Sequence, residues 1–464
     1  MDEATHDKAL DVDLDIFGQQ PFLRIYTQIS LFYPMPDCSL DIKIVKTLRG
    51  GLKRLAASFP WLAGQVVNEG ACEGNSGVFS IRSFEETPRL VPKLSKDGPS
   101  LPSMHQFRAA NFPCTMLDED VLAPRHTLPG GVIETQADPE PVLLVQPTFI
   151  DGGLVLTFAS HHATMDMTGM GQVMHLLSKA CRNEPFTAEE LASGNMDRHN
   201  IIPILEDYYE PGPELSYQIV KLPPPSDANL ERPPPPPLCT WVYFTFSPAS
   251  LKALKSATTG TLPASSNFIS TDDALSALVW QAITRARLPR LPKGTTTTFS
   301  RAIDVRRYLN VPATYPGLMQ NMTYHTHAAV ELSSQPLGVV AAELRAAVDP
   351  ATTSLTRSTR ALATFVRRAA DKSGFSFTAT VDPSTDLMLS SWSKVDCYGL
   401  DFSLGLGDGP EVVRRPTFVP VESLVYLMPK APDGEIAVMI CLRNEDMERL
   451  RVDEEFSKYG KYVG

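Results

Sequence analysis

Residues 160–169 read SHHATMDMTG, and His162 is followed at a spacing of four by Asp166. Three kinds of chemistry fit that pair. Two ligating side chains four apart on a helix can hold zinc. A histidine can instead pack in a loop, hydrogen-bonded to the carboxylate. It can also act as a general base, taking a proton from a hydroxyl or thiol as that group attacks, provided a neighbour fixes its tautomer and orientation. No third metal ligand stands nearby, so no metal is expected. Nucleophile and cofactor signatures are absent: there is no G-x-S-x-G, Walker loop, H-E-x-x-H or G-x-G-x-x-G. The glycine-rich GLDFSLGLGDGP (399–410) has the wrong spacing for a phosphate loop and reads as a tight turn between strands.

The elements around the pair decide where it sits. GGLVLTFAS (152–160) is a short apolar run that reads as a buried strand. TGMGQVMHLLSKACR (168–182) reads as a helix with Val173, Leu176, Leu177 and Ala180 on one side. The pair therefore falls between the end of a strand and the start of a helix. His161 precedes His162 on the strand end, where neighbours face opposite ways, so a structural role is expected for it. Further strands are expected at 22–33, 240–247, 296–305 and 434–442, and helices at 44–59, 248–259, 270–287 and 444–456. Ser247 before Pro248, and Ser270 before Thr271, Asp272 and Asp273, are helix-start signals. The mixture of strand and helix is an α/β or α+β pattern.

With 464 residues, two domains are the default. The composition, 43% hydrophobic and 20% charged, suits a folded enzyme. The net charge of −11 is spread along the chain without a basic stripe, so no nucleic-acid partner is expected. No apolar run approaches 18 residues, so no membrane span is expected. The acidic start MDEATHDKALDVDLD does not read as a signal or transit peptide. Seven scattered cysteines without a C-x-x-C fit reduced thiols in a cytoplasmic protein. Proline is unusually frequent at 40 residues, and KLPPPSDANLERPPPPPL (221–238) can be neither helix nor central strand. It reads as a linker between a domain at 1–220 carrying H-x-x-x-D and a domain at 239–464.

The wider sequence resembles the BAHD-type acyl-CoA-dependent acyltransferases, which carry H-x-x-x-D mid-chain and D-F-G-W-G near the C-terminus. Here the matches are HATMD (162–166) and DFSLG (401–405), with Ser403 and Leu404 standing where glycine and tryptophan are usual. Within that superfamily the chain is most similar to fungal trichothecene 3-O-acetyltransferases, through RIYTQISLFYP, PWLAGQV, LLSKACRNEPFT, FISTDDALSALVW, YPGLMQNMTYH, DPSTDLMLSSW and LRNEDMERL. The resemblance implies two chloramphenicol-acetyltransferase-like domains with the active-site channel between them. It implies His162 as the general base in a ternary-complex transfer from acetyl-CoA to a bulky, largely apolar, trichothecene-like alcohol, with no acyl-enzyme. It implies that Asp166 braces the loop by pairing with an arginine on a strand of the other domain, here Arg306 in AIDVRR. Asp401 takes a supporting role, and Leu404 leaves the oxyanion donor unassigned. An amide-forming condensation domain shares the H-x-x-x-D logic, but no carrier or adenylation region accompanies it, and the intact pair argues against a non-catalytic binder.

Coenzyme A brings phosphates to an acidic protein, so local cations or helix N-termini must receive them. Lys255, Ser270, Thr271 and Arg301 are the candidates, although Asp272 and Asp273 already occupy the field of the helix that Ser270 and Thr271 open. Asn321 and Tyr324, in QNMTYHTH (320–327), are the candidates for the acceptor pocket. A monomer is expected.

Overall fold

The strand Gly153–His161 is buried at every position. Its run GLVLTFASH has no polar alternation, as suits a strand covered on both faces. It lies at the centre of a five-stranded sheet in the order Val412–Arg414, Tyr26–Pro34, Gly153–His161, Leu143–Ile150, Arg89–Leu90. All pairings are antiparallel except that of Arg89–Leu90 with Leu143–Ile150. Register sets Tyr26 opposite His161, so the site begins where this pairing ends. The helix Met167–Cys181 follows and packs against the helix Asp41–Ser58, which buries Ile44, Leu48, Leu52 and Leu55. Each such side chain contributes roughly 1.5–3 kcal/mol of burial. A small sheet of Asp11–Asp13, Val78–Arg82 and Gln65–Glu69 completes the first half.

The second half is built on a seven-stranded sheet in the order Gln320–Ala328, Thr296–Asp304, Leu387–Ser391, Leu424–Leu427, Ile436–Arg443, Cys239–Phe246, Gly460–Tyr462. Leu387–Ser391 runs parallel to both neighbours and the other pairings are antiparallel. The helices Pro248–Thr259, Thr271–Arg287 and Leu337–Ala346 pack together, and their apolar faces share one core with this sheet. The start signals act as their chemistry dictates: Ser247 Oγ accepts from Ser250 N, and Ser270 forms a reciprocal cap with Asp273.

This computed structural model describes residues 10–35, 37–94, 101–129, 138–221, 236–407 and 409–464, so most of the 221–238 run lies outside the described residues. Two elements differ from expectation. The strand expected from residue 22 starts at Tyr26, because Pro21–Leu23 forms a 3-10 turn whose carbonyl at Pro21 accepts from Arg24 N. The last helix divides into Asn444–Arg451 and Glu454–Ser457, because Asp453 caps Phe456 N and restarts the turn. The segment 399–410 does connect strands, but strands of different sheets. It leads from Leu387–Ser391 to Val412–Arg414, which joins the first-half sheet by pairing with Phe32, Leu31 and Ser30. The helix Leu355–Arg368 also crosses over, packing against Ile16–Gln19. No helix among the described residues is long and apolar enough to cross a membrane.

Candidate active site

The turn after His161 holds His162 by its backbone and its ring together. His162 N donates to the Ile25 carbonyl at 2.8 Å. Its Nδ1 lies 3.1 Å from the Met165 carbonyl, which can only accept, so Nδ1 carries the hydrogen. In the neutral ring that leaves the Nε2 lone pair free to accept a proton. Burial pushes the His162 pKa below the ordinary 6.5, with the Met165 bond and Asp166 opposing, so the ring is held neutral near pH 7. His161 points elsewhere: it is fully buried, its Nε2 donates to Glu140 Oε2 at 3.0 Å, and Tyr26 packs edge-on at 5.3 Å. Burial lowers the His161 pKa too, and the Glu140 carboxylate works against that.

Asp166 does not bond to His162. It caps the helix Met167–Cys181, with Oδ1 accepting from Gly169 N at 2.8 Å. Oδ1 also accepts from Arg306 Nη2 at 3.0 Å, while Oδ2 accepts from Arg306 Nη1 at 2.9 Å and Met319 N at 2.7 Å. Four donors thus surround one buried carboxylate, and three come from the other half of the chain. Arg306 is 2% exposed and also donates to the Tyr315 and Gly317 carbonyls. Burial opposes its charge, but Asp166 and Asp304 outweigh that and hold it firmly protonated. Arg306 stands on a 3-10 turn, Arg306–Tyr308, just past the strand Thr296–Asp304 rather than on it. A second buried clamp lies behind the loop: Arg198 Nη1 donates to the Thr164 carbonyl at 2.7 Å and to Asp15 Oδ2 at 3.0 Å. Glycine permits two close approaches: a Cβ on Gly18 would fall 2.2 Å from the Ala163 carbonyl oxygen, and one on Gly169 would fall 2.1 Å from that of Pro316.

Two cavities meet beside this loop, sharing Thr168, Ala302, Ile303, Asp304 and Ser391 in their walls. One, of 390 Å³, contains His162 and is walled mainly by apolar side chains such as Phe22, Met167, Met322, Phe377 and Trp392. The other, of 610 Å³, carries Arg301, Arg306, Arg307, Arg345 and Lys394 against Asp272, Asp304 and Asp396. That is a local excess of cations in a chain of net charge −11. A base at the junction of an apolar chamber and a cationic one can serve a reaction between an apolar and an anionic substrate.

Comparison with known proteins identifies the reaction class. Residues 25–181 match the trichothecene 3-O-acetyltransferase-like N-terminal domain, and residues 117–457 match the transferase family. The chain belongs to the BAHD-type transferase family. This transferase is 54% identical to the O-acetyltransferase dmxR13 of Cryptosporiopsis sp., over 98% of both chains. It is 53% identical to the trichothecene 3-O-acetyltransferase TRI101 of Fusarium sporotrichioides, over 99% of both. The crystal structure of that Fusarium enzyme complexed with coenzyme A and T-2 matches with a TM-score of 0.92 at 51% identity, covering 98% of this chain and 100% of that one. Vinorine synthase, at 18% identity and a TM-score of 0.67 over 99% and 95% of the chains, shares the fold. The fold is thus the expected mixed α/β, chloramphenicol-acetyltransferase-like one, and the transferase is an acyl-CoA-dependent O-acetyltransferase.

The remaining site residues sort by geometry. Ser270 and Arg301 line the cationic chamber, while Lys255 and Thr271 are not in its wall. Lys255 Nζ lies over the Phe268 ring at 5.4 Å. Arg301, in that wall, is already ion-paired: it bonds Asp272, and Asp273 at 3.0 Å, across a buried contact. Ser270 is spent in its helix cap. Asn321 is a correction. On Gln320–Ala328 the alternation turns Gln320 and Met322 into the His162 chamber and Asn321 to the opposite face, where it bonds Gln218 and Thr359. Tyr324 lies outside that chamber too, stacked on Tyr217 at 4.7 Å with its hydroxyl donating to the Phe377 carbonyl. Asp401 lines neither chamber; its Oδ1 accepts from Ser403 N and its carbonyl from Arg182, which fixes the crossing loop. Lys394, Arg307 and Arg345 also line the cationic chamber, Arg345 paired with Asp273 as Arg301 is; they were missed, because single basic residues in unremarked loops and helices carry no local signal. Among the described residues, no cluster of three or more His, Cys, Asp or Glu could hold a metal.

Proposed function

We propose that this O-acetyltransferase transfers acetyl from acetyl-CoA to one hydroxyl of a bulky, largely apolar alcohol of the trichothecene type, with His162 as the general base. The observation that carries the reading is the neutral ring of His162, Nδ1–H tied to Met165, in an apolar chamber that opens onto a cationic one. His162 Nε2 takes the hydroxyl proton as the oxygen attacks the thioester carbonyl. The tetrahedral intermediate collapses, the carbon–sulfur bond breaks, and the imidazolium returns its proton to the leaving thiolate. Asp166 and Arg306 are positioning residues: paired with each other, they fix the loop that carries His162. The 610 Å³ chamber takes the coenzyme A phosphates, and the 390 Å³ chamber takes the alcohol. Similarity to enzymes that carry a trichothecene in their names supports the acceptor class. A second reading, another bulky secondary-metabolite alcohol, is favoured by the equal identity to dmxR13, whose name specifies no acceptor.

The test is an acceptor panel with acetyl-CoA, read by mass spectrometry and by initial-rate kinetics. A mono-O-acetyl ester with free coenzyme A, and intersecting double-reciprocal lines, are the expected results. Parallel lines or an acyl-protein adduct trapped on rapid quench would overturn the direct transfer. Turnover of other polycyclic alcohols but not trichothecenes would move the acceptor to the second reading.

A further inference from the structure

The turn that carries His162 is held on both sides of the carbonyl that fixes its ring. That carbonyl belongs to Met165 and accepts from Nδ1. On its C-terminal side stands Asp166, clamped by Arg306. On its N-terminal side stands Thr164, whose amide and hydroxyl donate to the His161 carbonyl at 3.0 and 2.7 Å. The Thr164 carbonyl in turn accepts from Arg198 Nη1 at 2.7 Å. Arg198 is 3% exposed, and its guanidinium lies over the Trp61 ring at 4.2 Å. The same Nη1 donates to Asp15 Oδ2 at 3.0 Å. Asp15 is 1% exposed and accepts from two further donors, Leu318 N at 3.0 Å on Oδ2 and the Tyr315 hydroxyl on Oδ1.

The two clamps are one assembly. Tyr315 donates to Asp15 with its hydroxyl and accepts from Arg306 Nε with its carbonyl, at 2.9 Å. The consecutive amides of Leu318 and Met319 go to Asp15 and Asp166 respectively. The segment 315–319 of the second half is thus seated on two first-half carboxylates. Asp15 also opens the turn Ile16–Gln19, whose Gly18 lies against the Ala163 carbonyl. A peptide clamped on one side can still rotate about the other; clamped on both, its carbonyl keeps one direction. Were the Met165 carbonyl to swing away, Nδ1–H would lose its acceptor. The ring could then carry its hydrogen on Nε2 and present no lone pair to a hydroxyl.

We infer that Asp15, Arg198 and Tyr315 are positioning residues of the acetyl transfer: acting through the Thr164 carbonyl, they aim the Met165 carbonyl at His162 Nδ1 and so keep the Nε2 lone pair turned to the alcohol. None of the three stands in the wall of either chamber, so their effect reaches the reaction only through the turn. The inference rests on the reading of His162 as the general base.

The experiment reads His162 directly in the full-length enzyme. Diethyl pyrocarbonate labels the unprotonated imidazole. The labelling rate of the His162 peptide against pH, followed by mass spectrometry, gives the protonation midpoint of the ring. In parallel, kcat and KM are measured with acetyl-CoA and deoxynivalenol. In the wild type, burial should hold the midpoint below about 6.5. A ring freed from Met165 and rehydrated relaxes toward that value. Arg198→Met and Asp15→Asn should therefore both move the midpoint up, with kcat down roughly 10-fold or more and both KM values nearly unchanged. A purely Coulombic effect would give opposite shifts, up for the lost arginine and down for the lost carboxylate. Tyr315→Phe, which deletes one hydroxyl, should give a smaller upward shift, and Arg198→Lys should recover part of the loss. Leu254→Ala, a cavity in the core of the second half, is the control for lost stability: its melting temperature should fall with the midpoint in place. If Arg198→Met fails to fold, Asp15→Asn and Tyr315→Phe decide the matter. Opposite shifts, or a wild-type midpoint in every variant, overturn the positioning role and leave His162 as the base. Near-normal kcat in His162→Ala overturns the base and this inference with it. The labelling needs no acceptor, so it decides even where deoxynivalenol is not turned over.

Discussion

His162 and Asp166 stand four residues apart in sequence, and each answers to a different part of the molecule. The ring of His162 bonds to Met165 within its own turn, whereas Asp166 faces Arg306 and Met319. Replacing His162 by Ala should cost about 10²–10⁴-fold in kcat, the range for a lost general base, with an unchanged melting curve. A variant of near-normal kcat would rule out His162 as the base. The pH profile carries the same information. A base whose pKa is depressed by burial stays neutral down to lower pH, so kcat/KM should hold its plateau through neutrality and fall only below the ordinary value of about 6.5. Stability should follow a related course. The unfolded histidine binds its proton before the folded one does, so folding stability declines as pH drops below about 6.5, for His161 and His162 alike. An acid limb centred above pH 7 would contradict the buried neutral ring. In the sequence, the spacing of these residues and the apolar run before them placed the pair between strand and helix. The Met165 carbonyl had no signature, because a backbone acceptor is the same whatever the residue type.

Elements, rather than single side chains, bring the site together. The strand end at His161 and the strand ends at Asp304 and Gln320 belong to different sheets, and the Asp166–Arg306 pair joins them. Removing one partner of a buried ion pair leaves the other charge without compensation, at a cost of roughly 3–5 kcal/mol. Asp166→Asn and Arg306→Met should therefore each damage activity, and the double variant should fall well short of the sum. Additive effects in that cycle would dissolve the pairing. The close approach at Gly169 makes a separate prediction. A methyl there would press on the Pro316 carbonyl, so Gly169→Ala should destabilise by about 1–3 kcal/mol and lower kcat without changing the chemistry of His162. An alanine variant of wild-type stability would show that the two halves are less tightly apposed than this geometry requires. Helix starts were legible in advance because Ser247 and Ser270 are short-range devices, complete within four residues. The outward turn of Asn321 was not, since the face of a strand is chosen by what packs on each side of the sheet.

At the scale of the whole molecule, charge and connectivity decide what remains. In the function proposed above, a chain of net charge −11 meets an anionic co-substrate through one cationic chamber. Lys394 is exposed there and has no hydrogen-bond or ion-pair partner among the described residues, whereas Arg301 is already paired. Lys394→Met should raise KM for acetyl-CoA more than KM for the acceptor, and the penalty should shrink as salt screens the chamber. An unchanged KM for acetyl-CoA at low salt would place the phosphates elsewhere. Such a chamber is assembled from distant residues, so net charge forecast the need for it without pointing to Arg307, Arg345 or Lys394. Connectivity has a consequence for synthesis. The first-half sheet ends at an edge supplied by Val412–Arg414, and without that strand the outer row of backbone groups at Ser30, Leu31 and Phe32 has nothing to pair with. The nascent chain carries Tyr26–Pro34 out of the ribosome long before residue 412 is made. From the end of the first half near residue 220, the wait is roughly 200 residues, or about ten to forty seconds at 5–20 residues per second. Over that interval an apolar strand presents an open edge of the kind that recruits other chains. The turn that carries His162 has only its Arg198 clamp for part of the same time, since Arg306 and Met319 also arrive late. This enzyme is therefore inert and aggregation-exposed through most of its own translation, and a chaperone able to shield that edge should raise its yield more than slower expression of either half alone.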